Sequence, residues 1–224
     1  MAPTKTTRVE VQPGVILDSR RALYLTRARL LVVADLHWGY AVSHRAAGNL
    51  LPLWGDELIA GTLRALLDEY RPAEMLWLGD SLHALAGRAA AESFLEEVRG
   101  RQVSVTVLAG NHDRRWSVPG GRTLERDGYM FHHGDQALPP PRGHVEVIGH
   151  HHPAATLRDG AGARVRLAAL VASPSRLILP AFSPWAAGVS WNERLDPGEN
   201  LWAIAPSRIF AVRSAQPPGP AALS

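Results

Sequence analysis

The sequence contains no cysteine, and this absence excludes several kinds of site at once. Disulfide bonds cannot form, and neither can thiolate-bound zinc or iron–sulfur centres. Any metal must therefore be bound by histidine, carboxylate, asparagine or main-chain oxygen. That donor set suits manganese, iron, magnesium or a carboxylate-rich zinc centre.

Lysine is nearly absent as well, because Lys5 is the only one and the other basic side chains are arginine. The sequence pI is about 9.8, but the formal net charge is only +3. Alanine, glycine and proline are also abundant, which is typical of a general compositional bias. Charge alone therefore does not predict a dedicated DNA-binding face.

No apolar run approaches the length that spans a bilayer, and the N-terminus lacks the charged-then-apolar order of a secretory signal. The 224 residues are enough for one sizeable core. We therefore expect a cytoplasmic protein with no membrane partner. One domain over residues 1–214 is predicted, followed by a flexible tail over residues 215–224 that is rich in proline.

The first half of the chain predicts a β-α-β-α-β arrangement. Buried strands over residues 29–34, 74–78 and 103–108 alternate with amphipathic helices over residues 54–70 and 88–99. Each strand ends in polar residues: Asp35-Leu36-His37, Gly79-Asp80 and Gly110-Asn111-His112-Asp113. Ligands gather outside the carboxyl ends of such strands. In an extended segment, Asp35 and His37 would point to the same face and could reach one metal.

Histidines dominate the strand ends of the second half. All ten histidines lie between His37 and His152, and seven lie between His112 and His152. A strand over residues 129–133 ends at His133-Gly134, and a strand over residues 144–148 ends at Gly149-His150-His151-His152. Alternation would turn His150 and His152 the same way. The later strands, over residues 165–172, 176–179, 201–205 and 209–212, contain no histidine and predict a second sheet that serves mainly stability.

Each of these residues also has an ordinary explanation. Asparagine and histidine are common in turns, and a lone aspartate after a strand can cap the next element. His83, one loop beyond Asp80, is at least as well explained by packing. Arg114 and Arg115 suit phosphate oxygens but could equally be solvated, and Trp38 could stack on a base or belong to the core.

Taken together in chain order, the five strand-end motifs resemble the calcineurin-like metallophosphoesterase superfamily over about residues 30–153. The segment Leu179-Pro180-Ala181-Phe182, with Arg45, Gly48 and Pro52, is similar to its bacterial branch associated with DNA ligase and helicase genes (PdeM-like). The resemblance implies an α/β fold, a single-domain metallophosphoesterase-type β-sandwich flanked by helices. It also implies a nucleic-acid or nucleotide phosphodiester substrate, and a functional link to DNA ligase and helicase.

The resemblance further implies a dinuclear site. Asp35, His37 and His152 would bind one metal, Asn111, His133 and His150 would bind the other, and Asp80 would bridge both. His112 would be catalytic beside the substrate phosphate, with Asp113 orienting its ring, and Arg114, Arg115 and Trp38 are the candidate substrate contacts. The cofactors would be two divalent ions, manganese first, with iron, zinc and magnesium as alternatives.

The expected reaction is hydrolysis of a phosphodiester by in-line attack of a hydroxide that bridges the two metals, in a nuclease for DNA end processing or repair. The alternatives are a phosphomonoesterase or a cyclic-nucleotide phosphodiesterase with the same centre, and a non-catalytic scaffold on the same fold. Every expected ligand position is filled, which argues against the scaffold.

Overall fold

Two β-sheets packed face to face form the body of the protein. The computed structural model describes residues 7–116 and 120–212, so the predicted tail over residues 215–224 lies outside the described residues. The strands are Arg8–Gln12 (β1), Val15–Asp18 (β2), Ala22–Leu25 (β3), Leu30–Val33 (β4), Glu74–Leu78 (β5), Ser104–Leu108 (β6), Thr123–Arg126 (β7), Tyr129–His132 (β8), Val145–Ile148 (β9), Pro153–Arg158 (β10), Arg164–Ser173 (β11), Arg176–Ile178 (β12), Val189–Ser190 (β13), Asn200–Ala205 (β14) and Arg208–Val212 (β15). The α-helices are Tyr40–Ala46 (α1), Gly55–Tyr70 (α2) and Arg88–Gly100 (α3), and 3-10 turns occupy Leu85–Gly87 and Asp113–Arg115.

The first sheet has the order β1-β2-β3-β4-β5-β6. Its first four strands pair antiparallel, whereas β4, β5 and β6 pair parallel. The crossovers between the parallel strands contain α2 and α3, as the sequence predicts. Parallel pairing places the carboxyl ends of β4, β5 and β6 at one edge of the sheet.

The second sheet has the order β13-β10-β11-β12-β9-β8-β7, with β14 paired to β11 and β15 paired to β14. The late strands therefore do not form a sheet of their own. They share a sheet with β8 and β9, the strands that precede the candidate ligands of the second half. Strand β12 pairs parallel with β9, and β9 with β8, so all three end at the same edge.

The core follows the alternation of the strands. In β4, Leu30 and Val32 face the second sheet, while Leu31 and Val33 face α2 and α3. Because both faces of this strand are covered, its sequence is continuously apolar. The cluster on the far face of the second sheet includes no helical residue among those described, so the α-helices flank only the first sheet.

Several short elements were not predicted from the sequence: α1, β7, β10 and β13. Each depends on tertiary partners. Helix α1 has seven residues and packs on α2 and on Leu85–Gly87, and β13 has two residues and pairs with β10. Helix α1 and strand β13 contain too few residues for a periodic pattern. Among the described helices, none is long and apolar enough to cross a membrane.

Candidate metal centre

The carboxyl ends of β4, β5 and β6 meet those of β8 and β9 at one edge of the sandwich. Two groups of possible metal donors come together there: Asp35, His37 and His152, and Asp80, His133 and His150. Within each group the donor atoms all lie within 4.8 Å of one another. That separation is roughly twice a metal–ligand bond of about 2.0–2.2 Å, so each group can surround one ion.

The backbone at these positions is left-handed. The φ angles are 56° at Asp35, 51° at His37, 47° at Asp80, 62° at His150 and 45° at His152. Strand alternation was the predicted reason for Asp35 and His37 to face the same way. The backbone is not extended there, so that reason is wrong, although both side chains reach one cluster. A left-handed conformation costs an L-residue about 1–2 kcal/mol. Such strain persists only where the surrounding structure enforces it, and it concentrates at functional sites.

Two glycines of the motifs are required by close packing at the sheet edge. A Cβ atom on Gly110 would lie 2.2 Å from Oδ1 of Asp80, and one on Gly149 would lie 2.7 Å from Oδ2 of Asp35. Both separations are below van der Waals contact. Each of these glycines therefore leaves room for the carboxylate of an aspartate that follows a different strand.

The first cluster contains buried donor atoms without hydrogen-bond partners. Oδ1 of Asp35 and Nε2 of His152 lie 3.1 Å apart, yet neither atom makes a hydrogen bond, and Nδ1 of His37 also lacks a partner. The other carboxylate oxygen of Asp35 accepts a hydrogen bond from the backbone N–H of His150 at 3.0 Å. Buried polar atoms without partners are costly. A cation between Oδ1 of Asp35 and Nε2 of His152 would satisfy both, so these residues fit a bound metal.

The second cluster is equally compact. Nε2 of His133 lies 3.3 Å from Oδ2 of Asp80, 3.1 Å from Oδ1 of Asn111 and 3.2 Å from Nδ1 of His150. Nδ1 of His133 lies 2.9 Å from the carbonyl oxygen of Leu78, which orients the ring. A second contact to the main chain of this kind is typical of histidines that bind metals.

The two clusters adjoin each other, and their buried carboxylates favour positive charge at His133. Burial opposes protonation of His133, but Asp80, Asp35 and the Leu78 carbonyl outweigh it and raise the pKa of His133 to about 9. Burial likewise opposes ionisation of Asp80, yet His133 and neighbouring donors lower the pKa of Asp80 to about 2. For His37, burial dominates and lowers the pKa to about 4. The raised pKa of His133 marks a buried position that stabilises positive charge, which a cation site requires.

His112 lies at the edge of the centre and not inside it. Its side chain is 40% exposed, and its Nε2 lies 3.9 Å from Oδ2 of Asp80. The ring of His83, which the sequence left undecided, stacks on that of His112 at 5.5 Å, and His37, His83 and His112 form a third group of neighbouring donors. The only sequence signal for His83 was its position one loop beyond Asp80, the aspartate at the end of a strand.

The hydrogen bonds of Asp113 are not the predicted ones. Its buried carboxylate accepts hydrogen bonds from the backbone N–H groups of Ser81, Leu82 and Gly110, at 3.2, 2.9 and 3.0 Å. These bonds occupy both oxygens, and the described residues show no hydrogen bond between Asp113 and the ring of His112. Asp113 therefore ties the loop after β5 to the loop after β6.

The candidate substrate contacts divide into two kinds. Arg114 and Arg115 are exposed and line a cleft of about 550 Å³ together with His83, Asn111 and His112. Trp38, in contrast, is 2% exposed and packs on Trp77 and Phe94. The proposal that Trp38 stacks on a base is therefore corrected, because its ring belongs to the core between the first sheet and α3.

A sandwich whose strand ends collect carboxylates and imidazoles in groups that could hold metal ions fits a metal-dependent phosphoesterase. Residues 28–155 match the family described as calcineurin-like phosphoesterase, and the chain belongs to that family. The crystal structure of Pseudomonas putida nuclease MPE is similar, with 26% sequence identity and a TM-score of 0.70 over 93% of this chain and 100% of that chain. A comparison with curated proteins found no match.

Proposed function

We propose that this protein is a dinuclear metal-dependent phosphodiesterase that hydrolyses nucleic acid. The main support is the adjacency of the two donor clusters: Oδ1 of Asp35 in the first lies 3.9 Å from Nδ1 of His133 in the second. Two ions bound in adjoining clusters would clamp the oxygens of one phosphate. The similarity to a nuclease favours a polynucleotide substrate over a small one.

In this proposal Asp35, His37 and His152 would hold one ion, Asn111, His133 and His150 would hold the other, and Asp80 would bridge them. We expect manganese, because the donors are imidazole nitrogens and hard oxygens without thiolate. Two such ions, when bound, lower the pKa of water and offset the phosphate charge.

The remaining groups of the chain act on the substrate. His112 is exposed beside Asp80, so in this proposal it stabilises or protonates the leaving oxygen. The ring of His83, stacked on His112, limits its rotation. Arg114 and Arg115, in the adjoining cleft, hold phosphate oxygens of the bound strand.

The biological role proposed is DNA end processing or repair in partnership with DNA ligase and helicase. It rests on the weaker similarity of Arg45, Gly48, Pro52 and residues 179–182 to the bacterial ligase-associated branch. Rates on single- and double-stranded DNA, RNA, an aryl phosphodiester and an aryl phosphomonoester, each with manganese, magnesium, iron or zinc, test this assignment. A preference for the aryl phosphomonoester would instead favour a phosphatase.

The direct test of the centre is Asp80→Asn, with Asp127→Asn as a matched control. Both aspartates have a left-handed backbone, with φ of 47° and 50°, and asparagine tolerates that conformation. Asp127 lies in the exposed turn between β7 and β8. We expect Asp80→Asn to lose at least ~10²-fold in aryl phosphodiester turnover and to bind less manganese per chain, with an unchanged circular dichroism spectrum. Full turnover by Asp80→Asn would refute the proposed centre.

A further inference from the structure

The hairpin formed by β10 and β11 bears an unusual arrangement of arginines. Arg158 and Arg164 lie directly opposite each other in the register, and Arg166 lies opposite Thr156 on the same face. All three arginines are exposed. Like charges directly opposite each other on a sheet destabilise it. Stability therefore does not account for this pair.

No neighbouring carboxylate compensates for these charges. Within residues 7–116 and 120–212, none of the three arginines forms a salt bridge, and Arg166 donates only to the carbonyl oxygen of Gly188. The one acidic residue of the hairpin is Asp159. Its carboxylate accepts hydrogen bonds from the backbone of Ala161 and Ala163 and closes the turn. The arginine face is thus open to an anionic partner.

The strand alternation shows which way this face points. Leu170 and Ala172 of β11 belong to the core between the sheets, while Ala169 and Val171 belong to the outer cluster. By alternation, Arg164 and Arg166 share the face of Leu170. The arginines therefore extend the inner face of the second sheet beyond the sandwich, on the side where the first sheet contributes its metal donors.

The same hairpin begins at the metal centre, because β10 follows His152 directly. At about 3.3 Å per residue, the pair Thr156–Arg166 lies about 13 Å along the strand from His152, and the pair Arg158–Arg164 about 20 Å. Successive phosphates of one helical strand rise by about 3.4 Å. The arginines are therefore placed for phosphates a few nucleotides from the one at the metals.

From these observations we infer that the β10–β11 hairpin is a contact surface for the sugar–phosphate backbone of a polynucleotide that extends from the metal centre. The inference rests on the proposed function for the substrate bound at the metals. Because the side chains face phosphates and not base edges, the contact provides affinity without sequence preference. It also distinguishes a polynucleotide from a mononucleotide, which is too short to reach Arg158 and Arg164.

The test compares Arg158→Gln/Arg164→Gln with Arg27→Gln/Arg99→Gln in the manganese-loaded protein. Arg27 and Arg99 are exposed and form no salt bridge among the described residues, so the control removes the same charge elsewhere. Binding of a fluorescent single-stranded phosphorothioate oligonucleotide, which keeps the backbone charge and resists hydrolysis, is measured by anisotropy over a series of salt concentrations.

Two lost phosphate contacts should reduce the slope of log affinity against log salt by about 1.4, which corresponds to about 25-fold weaker binding at 0.1 M salt. The control pair should bind like the wild type. Turnover of an aryl phosphodiester, which contacts only the metal centre, should be unchanged in both. Arg164→Glu provides a second variant: it pairs with Arg158, so it should raise the melting temperature while weakening oligonucleotide binding.

Equal binding by the wild type and Arg158→Gln/Arg164→Gln would overturn the inference, and so would an equal loss in the control pair. The inference would also be overturned if the wild type bound no oligonucleotide. If the hairpin variants lose binding but the wild type hydrolyses neither substrate, the proposed function fails and the hairpin surface stands.

Discussion

Replacing Asp113 tests whether this residue orients a catalytic ring or holds two loops together. The carboxylate is 1% exposed and accepts three backbone hydrogen bonds, from Ser81, Leu82 and Gly110. At a net of about 1 kcal/mol per bond, Asp113→Ala should lose about 3 kcal/mol, and more where a freed N–H stays dry. Asp113→Asn keeps one oxygen and so should lose about 1–2 kcal/mol.

Burial raises the pKa of Asp113, so part of the gain from these bonds is already offset by desolvation of the carboxylate. For a chain of this size, 1 kcal/mol corresponds to about 2–4 °C in melting temperature, so Asp113→Ala should melt roughly 10 °C lower. Urea unfolding in EDTA measures the free energy without a contribution from metal binding.

The opposite outcome is equally clear. If Asp113 oriented the ring of His112, then Asp113→Asn would leave the unfolding free energy within ~0.5 kcal/mol of wild type and lower kcat by a large factor. That result would refute the structural role and restore the interpretation drawn from the sequence.

Three further predictions concern the core and the metals. Trp38→Ala should cost about 3–5 kcal/mol in unfolding free energy. Trp38→Phe should leave the KM for oligonucleotides unchanged. A raised KM in a stable Trp38→Phe protein would contradict the burial argument. Gly110→Ala places a Cβ 2.2 Å from Asp80 Oδ1. Calorimetry should therefore find manganese binding at least ~10-fold weaker, a loss of about 1.4 kcal/mol. Wild-type affinity would show that the loop moves to accommodate the Cβ. Adding manganese at about 100 times its Kd to EDTA-treated protein should stabilise it by about 2.7 kcal/mol, and an unchanged melting curve would argue against a native metal site.

Much of the fold is predictable because its strong elements have local signals. Strand β4 is continuously apolar, β5 is apolar after Glu74, and α2 and α3 show helical periodicity, so their existence and order follow from sequence. The strand-end motifs identify the candidate donors for the same reason. Gly, Asp, Asn and His directly after buried strands are uncommon unless that edge of the sheet forms a functional site.

The role of a single residue is harder to predict, because it depends on partners distant in sequence. Asp113 and Trp38 each adjoin a metal-site motif, and proximity suggested a part in the chemistry. Only the packing shows that Asp113 bonds to the loop after β5, and that Trp38 lies against Trp77 and Phe94.

The sequence by itself determined the candidate donors, their order along the chain and the α/β class, because these depend on residue type and local periodicity. The tertiary structure decided how the two sheets meet, and with it which candidate donors lie together. It also decided the left-handed backbone at Asp35, His37 and Asp80 and the exposed register of the arginine hairpin. These features depend on pairing between segments far apart in sequence, which local pattern does not encode.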